Sequence, residues 1–250
     1  MRVQIGLAHD SDYWSHIDKS PAEVTAYLKN LRARSLGAAA ELTPILKRHS
    51  SVQGWYIPEE LDDVNWRTEA AQSILFDHVR ALSQRLRSLT PGWTVSISAF
   101  CQGQSSPSAF EHFWNKFYET TQVDIVLFQD GVGVNKLNLS DVPIYLQAIH
   151  NAARKNGRSM IVVIELFRQT SGPPLNNGPF AAVPAPLERI NNQLRIASRY
   201  SSDGIMGFSV PEYLTPFGGD AASKLFSEYR KQTDREQQQE LRDPAPANVK

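Results

Sequence analysis

Short apolar runs alternate with longer stretches of helical periodicity along the whole chain. The apolar runs are 3–8, 52–57, 95–100, 123–128, 160–166 and 204–210. Most lack the polar alternation of a half-exposed strand, as expected where a parallel sheet buries both faces. Asp124 interrupts the fourth, so that strand is expected to begin at Ile125. Amphipathic segments fall between them at 22–48, 66–89, 110–120, 142–155, 187–200 and 221–231, with Gly37 a candidate break in the first. Six strand–helix units in strict alternation predict a parallel sheet. The fold class read from this is α/β, a parallel (β/α) barrel of the TIM-barrel-like kind. An open, doubly wound sheet is the alternative, and periodicity does not separate the two.

A full barrel needs eight strands, and six are visible, the first beginning almost at residue 1. Either the first two units are lacking or the barrel is open. The barrel domain is expected to occupy residues 1–232. Residues 233–250 carry six charges between Asp234 and Asp243, three consecutive glutamines and a Pro-Ala-Pro-Ala run, and are expected to form a frayed helix and a disordered tail.

Composition narrows the function classes. Of 250 residues, 41% are hydrophobic, enough for one large core, and 26 basic residues balance 26 acidic ones. That balance gives no support for a nucleic-acid or anionic-membrane partner. No apolar stretch reaches the roughly 20 residues of a membrane span, and the N-terminus does not read as a signal peptide. Cys101 is the single cysteine, which excludes an internal disulfide.

In a parallel barrel, function sits at the C-terminal ends of the strands. Glu165 is the sharpest candidate there, a carboxylate inside the apolar run 160–167 that is costly to bury unless it is paired or functional. An ion pair with Arg168 is the structural alternative. Glu59 and Glu60 follow Pro58, which is expected to end the strand and turn the chain into a loop. Trp55 and Tyr56 just before them offer flat faces suited to sugar rings, or serve as core. Gln129-Asp130-Gly131-Val132-Gly133 follows the fourth strand, but Lys136 stands where a dinucleotide fingerprint needs its third glycine. The two glycines then let a loop turn beside a ligand, with Gln129 and Asp130 as polar site residues. Glu212 and Tyr213 close the sixth strand, and His9 the first. The histidines lack metal-site spacing, and the nucleophile elbow of α/β-hydrolases is absent.

Gly-Trp-Tyr-Ile-Pro-Glu-Glu at 54–60 and Gln-Asp-Gly-Val-Gly-Val at 129–134 resemble a bacterial family of uncharacterised glycoside-hydrolase-like barrel domains. Ile-Glu-Leu-Phe at 164–167 and Phe-Ser-Val-Pro-Glu-Tyr at 208–213 follow in the same order, and the resemblance covers 3–231. It implies that two strands precede the first visible one. The Glu60 strand then counts as the fourth and the Glu165 strand as the seventh, where the large retaining glycosidase superfamily carries its acid/base and its nucleophile. That superfamily usually has Asn before the acid/base, whereas Glu59 stands here.

The implied activity is hydrolysis of a poly- or oligosaccharide. Glu60 would protonate the leaving oxygen and Glu165 would attack the anomeric carbon, with no cofactor or metal. Glu60 would need a raised pKa, and Glu165 would need to stay ionised. Trp55, Tyr56 and Tyr213 would form the sugar platform, with Glu59, Gln129, Asp130, Glu212 and His9 binding substrate. The resemblance would also allow a periplasmic or secreted location. The rival reading is a non-catalytic carbohydrate-binding barrel in an exopolysaccharide pathway.

Overall fold

The computed structural model describes residues 2–242. Six strands form one parallel sheet: β1 (Val3–Gly6), β2 (Val52–Leu61), β3 (Thr94–Ala99), β4 (Ile125–Gln129), β5 (Ser159–Glu165) and β8 (Ile205–Phe208), side by side in that order. Between β5 and β8 lies an antiparallel hairpin of β6 (Phe167–Ser171) and β7 (Ala181–Pro184), which the apolar pattern does not reveal. The larger helices are α2 (Pro21–Leu46), α3 (Glu69–Leu89), α4 (Pro107–Thr121), α5 (Val142–Lys155), α6 (Leu187–Ala197) and α8 (Asp220–Arg242); α1 (Tyr13–Ile17) and α7 (Val210–Tyr213) are short.

Sequence-adjacent strands are neighbours throughout, so the sheet curls rather than reversing its order as a doubly wound sheet does. The curl brings its two edges towards each other. Arg2, just before β1, donates two hydrogen bonds to Asp203, just before β8, at 3.0 and 3.2 Å. The result is a TIM-barrel-like half-barrel of six parallel strands.

Helix boundaries follow local chemistry. Ser20 and Glu23 form a capping box ahead of Pro21, while Thr68 and Ser106 accept from the backbone N–H groups of Ala71 and Ala109. α2 passes through Gly37 without a break, because a single exposed glycine costs a helix only about 1 kcal/mol. α8 continues past the expected end at Lys231 to Arg242. The rest of the expected tail, 243–250, lies outside the described residues.

The two faces of the sheet differ. Trp55, Ile57, Val95, Ile97, Val126, Phe128, Met160, Val162 and Ile164 point outward and join the main core beneath the helices. The inner face holds only a small cluster, Leu127, Ile161 and Val163, with Tyr56 and Ile125 against it. A complete barrel fills its interior with layers of side chains. Here the inner face lines a cavity of about 1150 Å³ running from Arg2 and Asp124 at the bottom to Glu60, Gln129 and Phe208 at the top. Its lower part is unfilled barrel interior; only its upper rim lies at the C-terminal ends of the strands.

Asp124 does not extend β4 but anchors its start. It accepts from the backbone N–H of Val95 at 2.8 Å, from Arg87 at 2.5 Å and from Arg158 at 2.9 Å. Asp124→Ala removes the acceptor of Val95 N–H and Arg158 and one of two acceptors of Arg87, which also bonds Gln122 O, and should destabilise the fold by about 2 kcal/mol in urea unfolding. A change below about 0.5 kcal/mol, typical of surface sites, would contradict the anchoring role.

Candidate active site

Successive residues of a strand point to opposite faces, and β2 does not stop at Pro58. It runs on to Leu61, with a register irregularity between Ile57 and Leu61 that accommodates the proline. Glu59 and Glu60 are therefore strand residues, not loop residues, and face opposite ways. Glu60 shares the inner face with Tyr56, and the Gln129 side chain of β4 donates to its Oε1 at 2.7 Å. Glu59 points towards α3 and is buried, with Oε1 accepting from His78 Nε2 at 3.0 Å. A carboxylate acceptor implies the Nε2–H form of that imidazole. Glu59 Oε2 and His78 Nδ1 have no hydrogen-bond partner among the described residues.

The same parity puts Glu165 on the inner face and Asp130 on the outer one. Glu165 is only 2% exposed because the loop after β4 closes over it. Val134 N donates to its Oε2 at 2.9 Å. A Cβ at Gly133 would lie 2.6 Å from Phe167 O and 2.8 Å from Glu165 Oε2, so only glycine allows this approach. Arg168 is exposed, and Glu165 makes no ion pair among the described residues.

Asp130 sits beneath the sheet, accepting from Glu165 N and Val132 N at 3.3 Å each and from Gln193 of α6 at 2.5 Å. It holds the loop and the end of β5 in place and does not reach the interior.

Several expected substrate contacts are corrected by burial and direction. Trp55 has no exposed surface and donates from Nε1 to Thr90 Oγ1 at 2.9 Å under the helices, so it cannot stack on a sugar. By parity Glu59 and Asp130 leave the inner face; Asp130 turns beneath the sheet, while Glu59, paired with His78, borders the smaller cleft beside His9. Tyr213 is half-buried on α7, its ring centroid 5.2 Å from that of Phe167, and Glu212 is exposed beside it. Neither lines the cavity at Glu60. His9 is exposed and borders a cleft of about 270 Å³ with Trp14, Tyr56 and Glu60. The aromatic residues that share a cavity with Glu60 include Tyr56, Trp14 and Phe208, the last 53% exposed. Phe208 opens the 208–213 motif, but the candidates there were taken from its other end, Glu212 and Tyr213; counting the pleat across from Glu165, its register partner on β5, picks out Phe208.

Lys136 was missed too. Its ammonium lies 3.3 Å from the centroid of the Phe100 ring, and Phe100 is held by its N–H donating to Leu61 O at 2.9 Å. Asp62 and Asp63 brace this corner. Asp63 accepts from the N–H groups of Gln102, Gln104 and Ser105, and Asp62 from Val64, Asn65 and the Gln102 side chain.

Electrostatics reverse one expectation. Burial pushes the Glu165 carboxyl up to about 7, with Asp130 adding to the rise; the amides of Val134 and Gly133 and the Lys136 ammonium oppose it. Burial likewise lifts Asp130 to about 6, against hydrogen bonds from Gln193, Val132 and Glu165. Both groups hold a proton more tightly folded than unfolded. Between the unfolded and folded values the native state binds more protons, so stability is greatest at the acid end and falls as pH rises. The melting temperature should drop between about pH 5 and pH 7.5, and Glu165→Gln, which cannot ionise, should make the drop shallower. Equal slopes in the two proteins would contradict the raised carboxyl.

Comparison with known proteins places the chain. A family described as a domain of unknown function, DUF4434, matches residues 1–218. The uncharacterized protein YbcH of Escherichia coli (strain K12) is 32% identical over 209 residues, which cover 81% of this chain and 65% of that protein. The chain thus spans less than two thirds of this relative. A structure of a putative α-L-fucosidase from Bacteroides thetaiotaomicron VPI-5482 superposes with a TM-score of 0.73 at 20% identity, covering 92% of this chain and 67% of the other. That likeness concerns the fold alone. With the family match spanning most of its length, the chain belongs to the DUF4434 family.

Proposed function

We propose that the domain acts on a poly- or oligosaccharide and cleaves a glycosidic bond with Glu60 and Glu165. One observation carries this reading. By the pleat both are inner-face carboxyls at strand ends, on β2 and β5 with two strands between them. Glycoside hydrolysis requires two carboxyl groups able to reach one sugar; Glu60 lines the cavity and Glu165 lies just beneath its rim under the Gly133–Val134 loop. Glu60, positioned by Gln129, serves as the acid that protonates the leaving oxygen and then as the base for the attacking water. Glu165 serves, once ionised above about pH 7, as the nucleophile at the anomeric carbon, so the configuration is retained. Tyr56, Trp14 and Phe208 supply faces for sugar rings, and Gln129 is in reach of hydroxyls.

A non-catalytic carbohydrate-binding barrel remains the second reading, favoured by the burial of Glu165 under Gly133 and Val134. Incubation with a panel of polysaccharides, with product anomers followed by NMR, separates the two. Glu165→Gln should lower turnover by at least about 10³-fold, by analogy with loss of a covalent nucleophile, while leaving saccharide binding within a few-fold. Undiminished turnover in that variant would sink the catalytic reading.

A further inference from the structure

Two hollows meet at the end of β2. One is the barrel interior; the other is the cleft of about 270 Å³ between that strand end and the segment that follows β1. Tyr56 and Glu60 line both. Strand order gives the two hollows opposite sides of Glu60. β3, β4 and β5 follow β2 in one direction, with Glu165 at the end of β5, while β1 and the cleft beside it lie in the other. On the catalytic reading above, the ring whose anomeric carbon meets Glu165 lies on the β3 side of Glu60. The group that departs on the oxygen protonated by Glu60 then lies on the β1 side.

The walls of the cleft are tied in place. Tyr13 of α1 is buried and donates to Glu60 O at 3.2 Å, which fastens α1 to the end of β2. Its neighbour Trp14 is 40% exposed, with its ring centroid 5.1 Å from that of Tyr13 and 5.7 Å from that of Phe100. An indole clamped in this way offers an apolar face with little rotamer freedom left to lose on binding. Asp10 fixes the segment before it, accepting from Asp12 N at 3.0 Å and from Arg34 of α2 at 2.7 Å. Glu59 borders the same cleft, with Oε1 engaged by His78 and Oε2 buried without a hydrogen-bond partner among the described residues. Such an oxygen is costly to leave unmatched, and a hydroxyl-bearing ligand can supply the donor directly or through water.

The polar chemistry of the cleft discriminates between sugars. Asp10, Glu59 and Glu60 line it, no lysine or arginine does among the described residues, and Arg34 is already engaged by Asp10. A uronic acid would bring a carboxylate among acceptors with no free cation to answer it, whereas neutral and amino sugars bring donors.

We propose that this cleft is the leaving-side subsite of the domain, holding one neutral or amino-sugar ring against Trp14 and excluding uronic acids. The side rests on the catalytic reading above; occupancy by a sugar does not. In the full chain labelled with ¹⁵N, the Trp14 indole N–H signal, assigned by its loss in Trp14→Phe, is followed by NMR as cellobiose, mannobiose, galactobiose, the chitosan disaccharide or digalacturonate is added. A neutral or amino disaccharide should shift it saturably while the buried Trp55 signal stays in place, and digalacturonate should not. By calorimetry, Trp14→Ala should weaken that binding about tenfold, a loss of about 1.4 kcal/mol, and Trp14→Phe should restore most of it. A Trp14 signal that no sugar moves, or that digalacturonate moves as strongly, would overturn the proposal. Hydrolysis reports the side. Trp14→Ala should lower kcat/KM for the disaccharide about tenfold more than for the matching glycosyl fluoride, which has no leaving ring, and equal losses would overturn the assignment to the leaving side. Failure of the catalytic reading shows separately, as turnover that survives Glu165→Gln or as no hydrolysis at all, and it takes the side with it while the Trp14 shifts still decide whether the cleft binds sugar.

Discussion

The period of two along a β-strand decides which residues of this protein face the barrel interior and which lie under the helices. Consecutive side chains leave a strand on opposite faces, and in a curled sheet one face is barrel interior and the other lies under helices. Glu59 and Glu60 are neighbours in sequence, yet one is buried against His78 and the other faces the cavity. Gln129 and Asp130 part in the same way: the first donates to Glu60, and the second ties the chain to α6. Trp55 and Tyr56 divide the pleat between core and cavity. Each motif is therefore half machinery and half foundation.

The foundation half has its own chemistry. Asp130, Gln193 and Arg189 engage the backbone around Glu165, and Asp62 and Asp63 organise the turn that carries Phe100. Buried carboxylates are tolerable only when hydrogen bonds replace their water, and these are supplied by backbone amides and by side chains of other elements. The outcome is a rim in which Glu165 and Phe100 are fixed by groups that never enter the interior. A site so held loses little conformational freedom when a ligand arrives.

Much of the architecture was legible in the sequence. The six strands stand out because both faces are largely apolar, and Asp124 correctly marked the start of β4, since its carboxylate is engaged by Val95, Arg87 and Arg158. The hairpin β6–β7 was hidden because Arg168, Gln169 and Thr170 read as a polar loop. Pro58 was read as a strand end; the strand absorbs it through an irregular register. That reading concealed the parity of Glu59 and Glu60, although counting in twos from Tyr56 picks out Glu60. Lys136 left no signal at all. A lysine in a loop has no period to betray it, and its place follows from the left-handed turns around it.

The central claim is that Glu60 and Glu165 work as a pair across the upper rim. The separation of their carboxyl groups in a crystal of the protein with a bound oligosaccharide tests it most directly. A retaining pair should lie about 5–5.5 Å apart, with the sugar ring between them; a separation beyond about 10 Å, outside the range of either glycosidase mechanism, would contradict the claim.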